Sequence, residues 1–167
     1  NTEGQLRTKT GPEVGKWFRM AINRDWFSNT ATVISAKDSG HAKTWRCDFT
    51  PWSETNTEAF AGLHNKGKRL ILIFDEGSAI ADKVWEVAEG ALTDEDTEII
   101  WLVFGNPTRA TGRFRECFRK HRHRWVTRQI DSREVEGTNK QELQKLVDDH
   151  GEESDRVKVR VRGIFPS

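Results

Sequence analysis

Cysteine is scarce in this 167-residue chain: Cys47 and Cys117 sit 70 positions apart, and neither falls in a C-x-x-C or Cys/His ligand spacing. That excludes a disulfide framework and a zinc ribbon, and it predicts a reducing cytoplasmic compartment with both thiols buried as small hydrophobes. An excess of one charge is lacking too. The 27 Lys and Arg against 26 Asp and Glu leave a net of +1, which argues against a protein coated all over by nucleic acid. The longest apolar runs, 70–74 and 99–104, fall far below membrane-spanning length, and no leader peptide, internal repeat or low-complexity tract is visible. The chain opens on Asn1 rather than Met, so a fragment or a processed product is expected. No G-x-x-x-x-G-K-[ST] loop occurs; Gly40-His41-Ala42-Lys43-Thr44 ends in Lys-Thr but lacks the glycine spacing. Nor is there a Ser/His/Asp or Cys/His arrangement for nucleophilic catalysis.

What is present suffices for one α/β domain with a real core. The stripe Val14, Trp17, Phe18, Ala21 and Ile22, with Pro12 suited to a first turn, predicts a helix over 12–23. Short strands are expected at 32–36 and 43–49 around the turn-rich 38–41, and a short helix at 57–63. The runs 70–74 and 99–104 are continuously apolar, the habit of parallel strands buried on both faces. Between them Ile80, Val84, Val87, Ala88 and Ala91 share one helical face, so 70–104 reads as a right-handed strand–helix–strand crossover. Downstream, the pattern predicts a helix over 112–120 with Phe114, Cys117 and Phe118 inward. It also predicts a strand over 125–130 and a helix over 138–150 opened by a Thr138/Gln141 capping box, with Leu143, Leu146 and Val147 on its buried face. Val157, Val159 and Val161 alternate with Lys and Arg, which fits a strand or a short terminal helix.

Three groups of residues could carry chemistry. Asp75-Glu76 follows the first buried strand, and open parallel sheets bind ligands at the carboxyl ends of their strands. A nucleotide-hydrolysing site needs one carboxylate there to hold Mg²⁺ and often a second to activate water; the plainer alternative is a helix cap. Asn106, in Gly105-Asn106-Pro107, would arrive at the same edge if the strands are parallel, where an amide can bond a phosphate or the attacking water; a simple turn is the alternative. Finally, Arg109, Arg113, Arg115, Arg119, Lys120, Arg122, Arg124 and Arg128 put eight cations into twenty residues. They could meet DNA phosphates or supply an arginine finger to a neighbouring subunit, with Arg109 and Arg113 nearest the strand edge. Otherwise they form a solvated face answering the acidic stretches 94–96 and 148–153. His121 and His123 have no carboxylate or Cys at metal-ligand spacing.

Taken together, LILIFDEGSAI over 70–80, WEVAEGALT over 85–93 and FGNPTR over 104–109, with Gly112 and Phe114, resemble the large terminase subunit of tailed bacteriophages and prophages. The flanks QLRTKT (5–10), AGLH (61–64) and RVRGIFP (160–166) fit the same resemblance. It implies an α/β fold with a mostly parallel sheet, helices on both faces and a P-loop NTPase core. Residues 1–167 would be the later part of the ATPase domain, with the Walker A loop before residue 1 and a nuclease domain after residue 167. The implied activity is ATP hydrolysis driving double-stranded DNA into a capsid. The implied cofactors are ATP and Mg²⁺, and the implied partners are DNA, portal, small terminase subunit and like subunits in a ring. Asp75 and Glu76 fall on the Walker B pair, Asp75 toward Mg²⁺ and Glu76 toward water, and Asn106 on the coupling motif after the next strand. Arg109, Arg113, Arg119 and Arg122 remain nucleic-acid or trans-subunit candidates. Gly77 stands where the family more often has Ala, a change expected to be minor. Two other classes stay open: a non-enzymatic nucleic-acid-binding or assembly module, and a helicase-type ATPase fragment.

Overall fold

Residues 3–52 and 63–167 are described by a computed structural model, so the helix expected over 57–63 lies, apart from Leu63, outside the described residues. The chain divides into two compact units, Asn1–Leu72 with Glu86–Ile100 and Ile73–Trp85 with Trp101–Ser167. In chain order the elements are α1 (Glu3–Gln5), a π turn (Leu6–Thr10), α2 (Gly11–Met20), β1 (Phe27–Asn29), β2 (Val33–Ala36), β3 (Arg46–Asp48), β4 (Arg69–Phe74), α3 (Asp82–Ala91), β5 (Glu98–Val103), α4 (Arg113–Cys117), α5 (Lys140–His150) and α6 (Asp155–Arg160). Among the described residues no helix is long and apolar enough to cross a membrane.

In the first unit the opening helix starts nine residues before the expected position, joined through the π turn by a Gly11 N–H to Leu6 carbonyl bond. It ends at Met20, and its apolar stripe is not a core face: Trp17 is exposed, and Ile22 lies wholly in solvent beyond the helix end. The Trp17 indole is satisfied locally instead, donating to Glu13 at 2.9 Å under the Lys16 ammonium. Next comes an antiparallel meander β1-β2-β3, with Phe27 opposite Ala36 and Ile34 opposite Cys47. The pattern missed its first strand, and the third begins at Arg46 because 41–44 is turn. Cys47 lies exposed on that last strand, so only Cys117 is the buried thiol expected.

Strands β4 and β5 form a two-stranded sheet. Glu98 N–H donates to the Lys68 carbonyl at 3.0 Å, and Phe104 N–H to the Phe74 carbonyl at 2.8 Å. The two bonds advance together along both strands, so the pair is parallel, as the crossover requires. Burial alternates, however. Leu72 and Phe74 are buried while Ile71, Ile73, Leu102 and Phe104 are exposed. One face of the pair is covered rather than two, and with one antiparallel three-stranded sheet and one parallel two-stranded sheet, the architecture is mixed α/β.

The second unit packs its core on the covered face. Phe74, Trp85, Trp101 and Trp125 form an aromatic cluster with ring centroids 5.1–6.2 Å apart, mostly edge to face. Trp85 is its centre at 1% exposed. The indole N–H groups of Trp85 and Trp101 are buried with no hydrogen-bond acceptor among the described residues.

Residues 125–130 are irregular rather than a strand. Val126 is in solvent, and the segment is tied to the chain end by Gln129 donating to the Arg162 carbonyl. Gly163 takes a left-handed conformation there, with its Cα so close that an added Cβ would lie 2.6 Å from the Ile130 carbonyl oxygen. The cap of α5 is Asn139, whose side-chain amide oxygen accepts Glu142 N–H at 3.2 Å. Thr138 is diverted to the Ser132 and Val135 carbonyls, and Leu143, Leu146 and Val147 are half-buried. The terminal valines resolve as the helical alternative, α6, capped by Ser154. Val157, Val159 and Val161 are all buried, so the helix is covered on opposite flanks. Arg133 joins these pieces, bonding Asp131 at 2.6 Å and Glu152 at 2.9 Å.

Truncating Trp85 to Ala should cost about 3–5 kcal/mol in urea unfolding. Trp85→Phe should cost clearly less, because it keeps the ring packing and removes an unsatisfied donor. Hydrogen bonding from Arg133 holds the Asp131 carboxyl below its ordinary range. Its stabilisation is therefore fully present above about pH 5 and is lost as pH falls through the depressed folded value. Asp131→Asn should lower the Tm at pH 7, and the gap from the parent should close as thermal melts are carried toward pH 2.

Candidate active site at the carboxyl ends of the parallel strands

Where β4 ends, Asp75 accepts the Glu76 backbone N–H on Oδ1 at 2.9 Å. This local bond turns the chain out of the strand and leaves Glu76 in the left-handed region at φ 55°. For a residue with a Cβ that conformation costs roughly 1–2 kcal/mol, so something nearby must hold it. The holder is the end of the neighbouring strand: Gly77 N–H donates to the Phe104 carbonyl at 2.8 Å.

The two backbones approach closely enough to favour glycine at 105, and packed side chains crowd position 77. A Cβ at Gly105 would lie 2.8 Å from Gly77 N and 3.2 Å from the Glu76 carbonyl carbon. A Cβ at Gly77 would lie 2.5 Å from Val103 Cγ1 and 3.1 Å from Phe114. The Gly at position 77 is thus not the minor change expected, because the space an alanine methyl would need is filled by a β-branched side chain and a buried ring. Beyond the crossing, Ser78 begins the next link. Its buried hydroxyl lies 3.2 Å from both Thr108 Oγ1 and the Arg109 backbone N–H. Asp82, first residue of α3, accepts the Arg113 N–H at 2.9 Å. Pro107 is buried between these ties.

The edge therefore brings together Asp75, Glu76 and Asn106, all exposed, as the parallel pairing requires. The Asn106 carbonyl is occupied by Thr108 N–H at 2.8 Å. Arg109, in the loop after β5, and Arg113, first residue of α4, line with Ser78, Asp82 and Thr111 a shallow cavity of about 270 Å³. Arg119 and Arg122 are carried further on, in the turns after α4, where Arg122 donates to the Trp125 carbonyl. The acidic stretch 148–153 is answered in part by Arg133, Arg162 and Lys158, all outside the basic run. Ser78, Asp82 and the Gly77/Gly105 crossing escaped the motif reading. The spacing of Gly77 and Gly105 just past two parallel strand ends is the signal that could have found the crossing.

This geometry defines a class: a mixed α/β protein whose strand–helix–strand unit presents two carboxylates and an amide at one edge. Comparison with known proteins adds a relationship. No protein-family model matches the chain, and no solved structure matches it. A stretch of 123 residues, 66% of this chain, is 32% identical to the probable large terminase subunit of Enterobacteria phage P7, of which it spans 23%. The chain is thus related to large terminase subunits, as the resemblance of its motifs implies.

Gly105→Ala should destabilise the chain by about 1–3 kcal/mol, and more than Gly77→Ala, since its methyl meets backbone where the other meets side chains. Urea titrations followed by tryptophan fluorescence would rank the two; equal or negligible effects would show that the crossing is looser than described.

Proposed function

We propose that this chain carries the water-activating side of a DNA-packaging ATPase site. The observation that supports this best is the convergence of Asp75-Glu76 and Asn106 on one edge of a parallel strand pair, tied by the Gly77–Phe104 bond. Mg²⁺ suits such a site, because it takes one or two protein carboxylates and fills its remaining positions with water and phosphate oxygens. Among the described residues no group of three or more His, Cys, Asp or Glu could hold a metal. When bound, Mg-ATP would supply the phosphoryl group and the charge neutralisation that its transfer needs.

In this reading Asp75 holds the metal through its water shell while its Oδ1 keeps the turn. Glu76, presented beyond the strand by its left-handed backbone, accepts a proton from the attacking water. Asn106 orients that water or the terminal phosphate with its amide. Arg109 and Arg113 serve a neighbouring subunit's nucleotide in a ring, and exposed Arg119 and Arg122 face DNA phosphates. Double-stranded DNA, portal and small terminase subunit are the partners that go with this reading.

In the natural protein that carries a phosphate-gripping loop with these residues, Glu76→Gln should retain nucleotide binding and lose turnover by at least about 100-fold. Near-normal turnover would refute the role given to Glu76. The 167-residue chain has no such loop, so calorimetry should find no tight Mg-ATP binding to it; a micromolar Kd would contradict the division of labour proposed.

A further inference from the structure

The meander of the first unit carries a second feature, unconnected to the carboxylate edge. Trp26, just before β1, and Trp45, just before β3, are 65% and 49% exposed. Both line one pocket, so their exposed surface is contiguous rather than scattered. Both are fixed by β2. Lys37 N–H donates to the Trp26 carbonyl and Ala36 N–H to the Trp45 carbonyl, each at 2.9 Å. The walls therefore belong to the sheet rather than to a loose loop.

Between them lies a half-open pocket of about 270 Å³ lined by Trp26, Ala36, Lys37, Asp38, His41 and Trp45. The His41 ring already lies against Trp45, with centroids 4.5 Å apart, and its Nδ1 is held by Asp38 at 2.5 Å. Asp38 lines the pocket with its carboxylate bonded to His41 and largely exposed. Lys37 lines it too, with no side-chain hydrogen bond or ion pair among the described residues.

These features discriminate among occupants. A methylated ammonium would be drawn to the indole faces but would meet the like charge of Lys37, which lines the pocket. A purely apolar peptide would leave Lys37 unused. A planar, uncharged ring joined to an anion uses both features, with the ring on the indole and imidazole faces and the anion at Lys37. The volume suits one base with its sugar, and Lys37 suits an adjoining phosphate.

We propose that the Trp26/Trp45 pocket binds one unpaired base of single-stranded nucleic acid, with Lys37 at an adjoining phosphate. The proposal does not rest on the hydrolytic role given to Asp75 and Glu76.

The test is fluorescence anisotropy of a dye-labelled oligo-dT with the 167-residue chain at fixed low salt. Thymidine monophosphate, a duplex of the same length and a trimethyllysine peptide serve as competitors. Trp26→Ala and Trp45→Ala should each weaken oligo-dT binding roughly tenfold, within the range of one lost base stack. Trp45→Phe should keep most of the affinity. Lys37→Glu should weaken binding and flatten its salt dependence. Because the altered side chains are exposed, circular dichroism melts should match the parent, which separates lost binding from lost folding.

Duplex competing as well as single strand, or tryptophan variants binding like the parent, would overturn the proposal by placing the contact on cations elsewhere. Displacement by the trimethyllysine peptide would overturn it in favour of a cation cage. Displacement by the mononucleotide at concentrations matching the oligomer would make the site one for free nucleotide and would equally overturn it.

Discussion

One backbone hydrogen bond, from Gly77 N–H to the Phe104 carbonyl, organises the second unit's candidate site. It joins the turn leaving β4 to the end of β5 just after regular pairing has ended. Gly105 leaves the backbone room for it. The Cα of Gly105 lies so near Gly77 N that a methyl there would meet backbone at 2.8 Å. With the bond made, the strained Glu76 is held between two fixed points: the Asp75 carboxylate before it and the glycine crossing after it. A residue in that conformation persists only when its surroundings over-determine it, and strain of this kind tends to collect at functional positions.

The same crossing makes Asp75-Glu76 and 105–109 mechanically one object. Ser78 extends the connection to Thr108 and Arg109, and Asp82 extends it to Arg113. A displacement of the 106–109 loop cannot leave the carboxylates unmoved while these bonds hold. Beneath them, Phe74 and Trp85 anchor the strand and the helix start in the aromatic cluster. The arrangement therefore has a rigid floor, a strained turn and an exposed rim. Groups that must stay in register are tied to the floor, and groups that must reach a partner sit on the rim.

How much of this could be read from residues alone depended on the range of the interaction involved. The parallel strands, the helix between them and the placement of Asp75, Glu76 and Asn106 at one edge follow from local apolar runs and the geometry of a crossover. They were legible. The caps were nearly so: Asn139 rather than Thr138 starts α5, because Thr138 found carbonyls upstream that no local pattern displays. The glycine crossing and the Ser78 link were not legible, since a close approach between residues about 30 positions apart leaves no periodic trace. Nor was the dominance of Trp85, which lies one position from the expected stripe yet is its most voluminous buried member.

The instructive failure is the reading of 70–74 and 99–104 as strands covered on both faces. Continuous apolarity measures what a strand could bury, whereas burial requires an element on each side to do the covering. Here the helix side is filled by Phe74, Trp85 and Trp101, while Ile73, Leu102 and Phe104 on the other side meet solvent. The helix over 12–23 fails in the opposite way: its stripe has helical spacing, but Trp17 satisfies its indole on its own helix through Glu13 and Lys16 and stays outside. In both cases the period correctly identified the secondary structure and said nothing about its neighbours. Period is a property of one segment and coverage a property of two. A site built where segments cross is therefore seen in a sequence only through the residues that chemistry makes conspicuous, here two carboxylates, while the glycines that position them pass as ordinary turns.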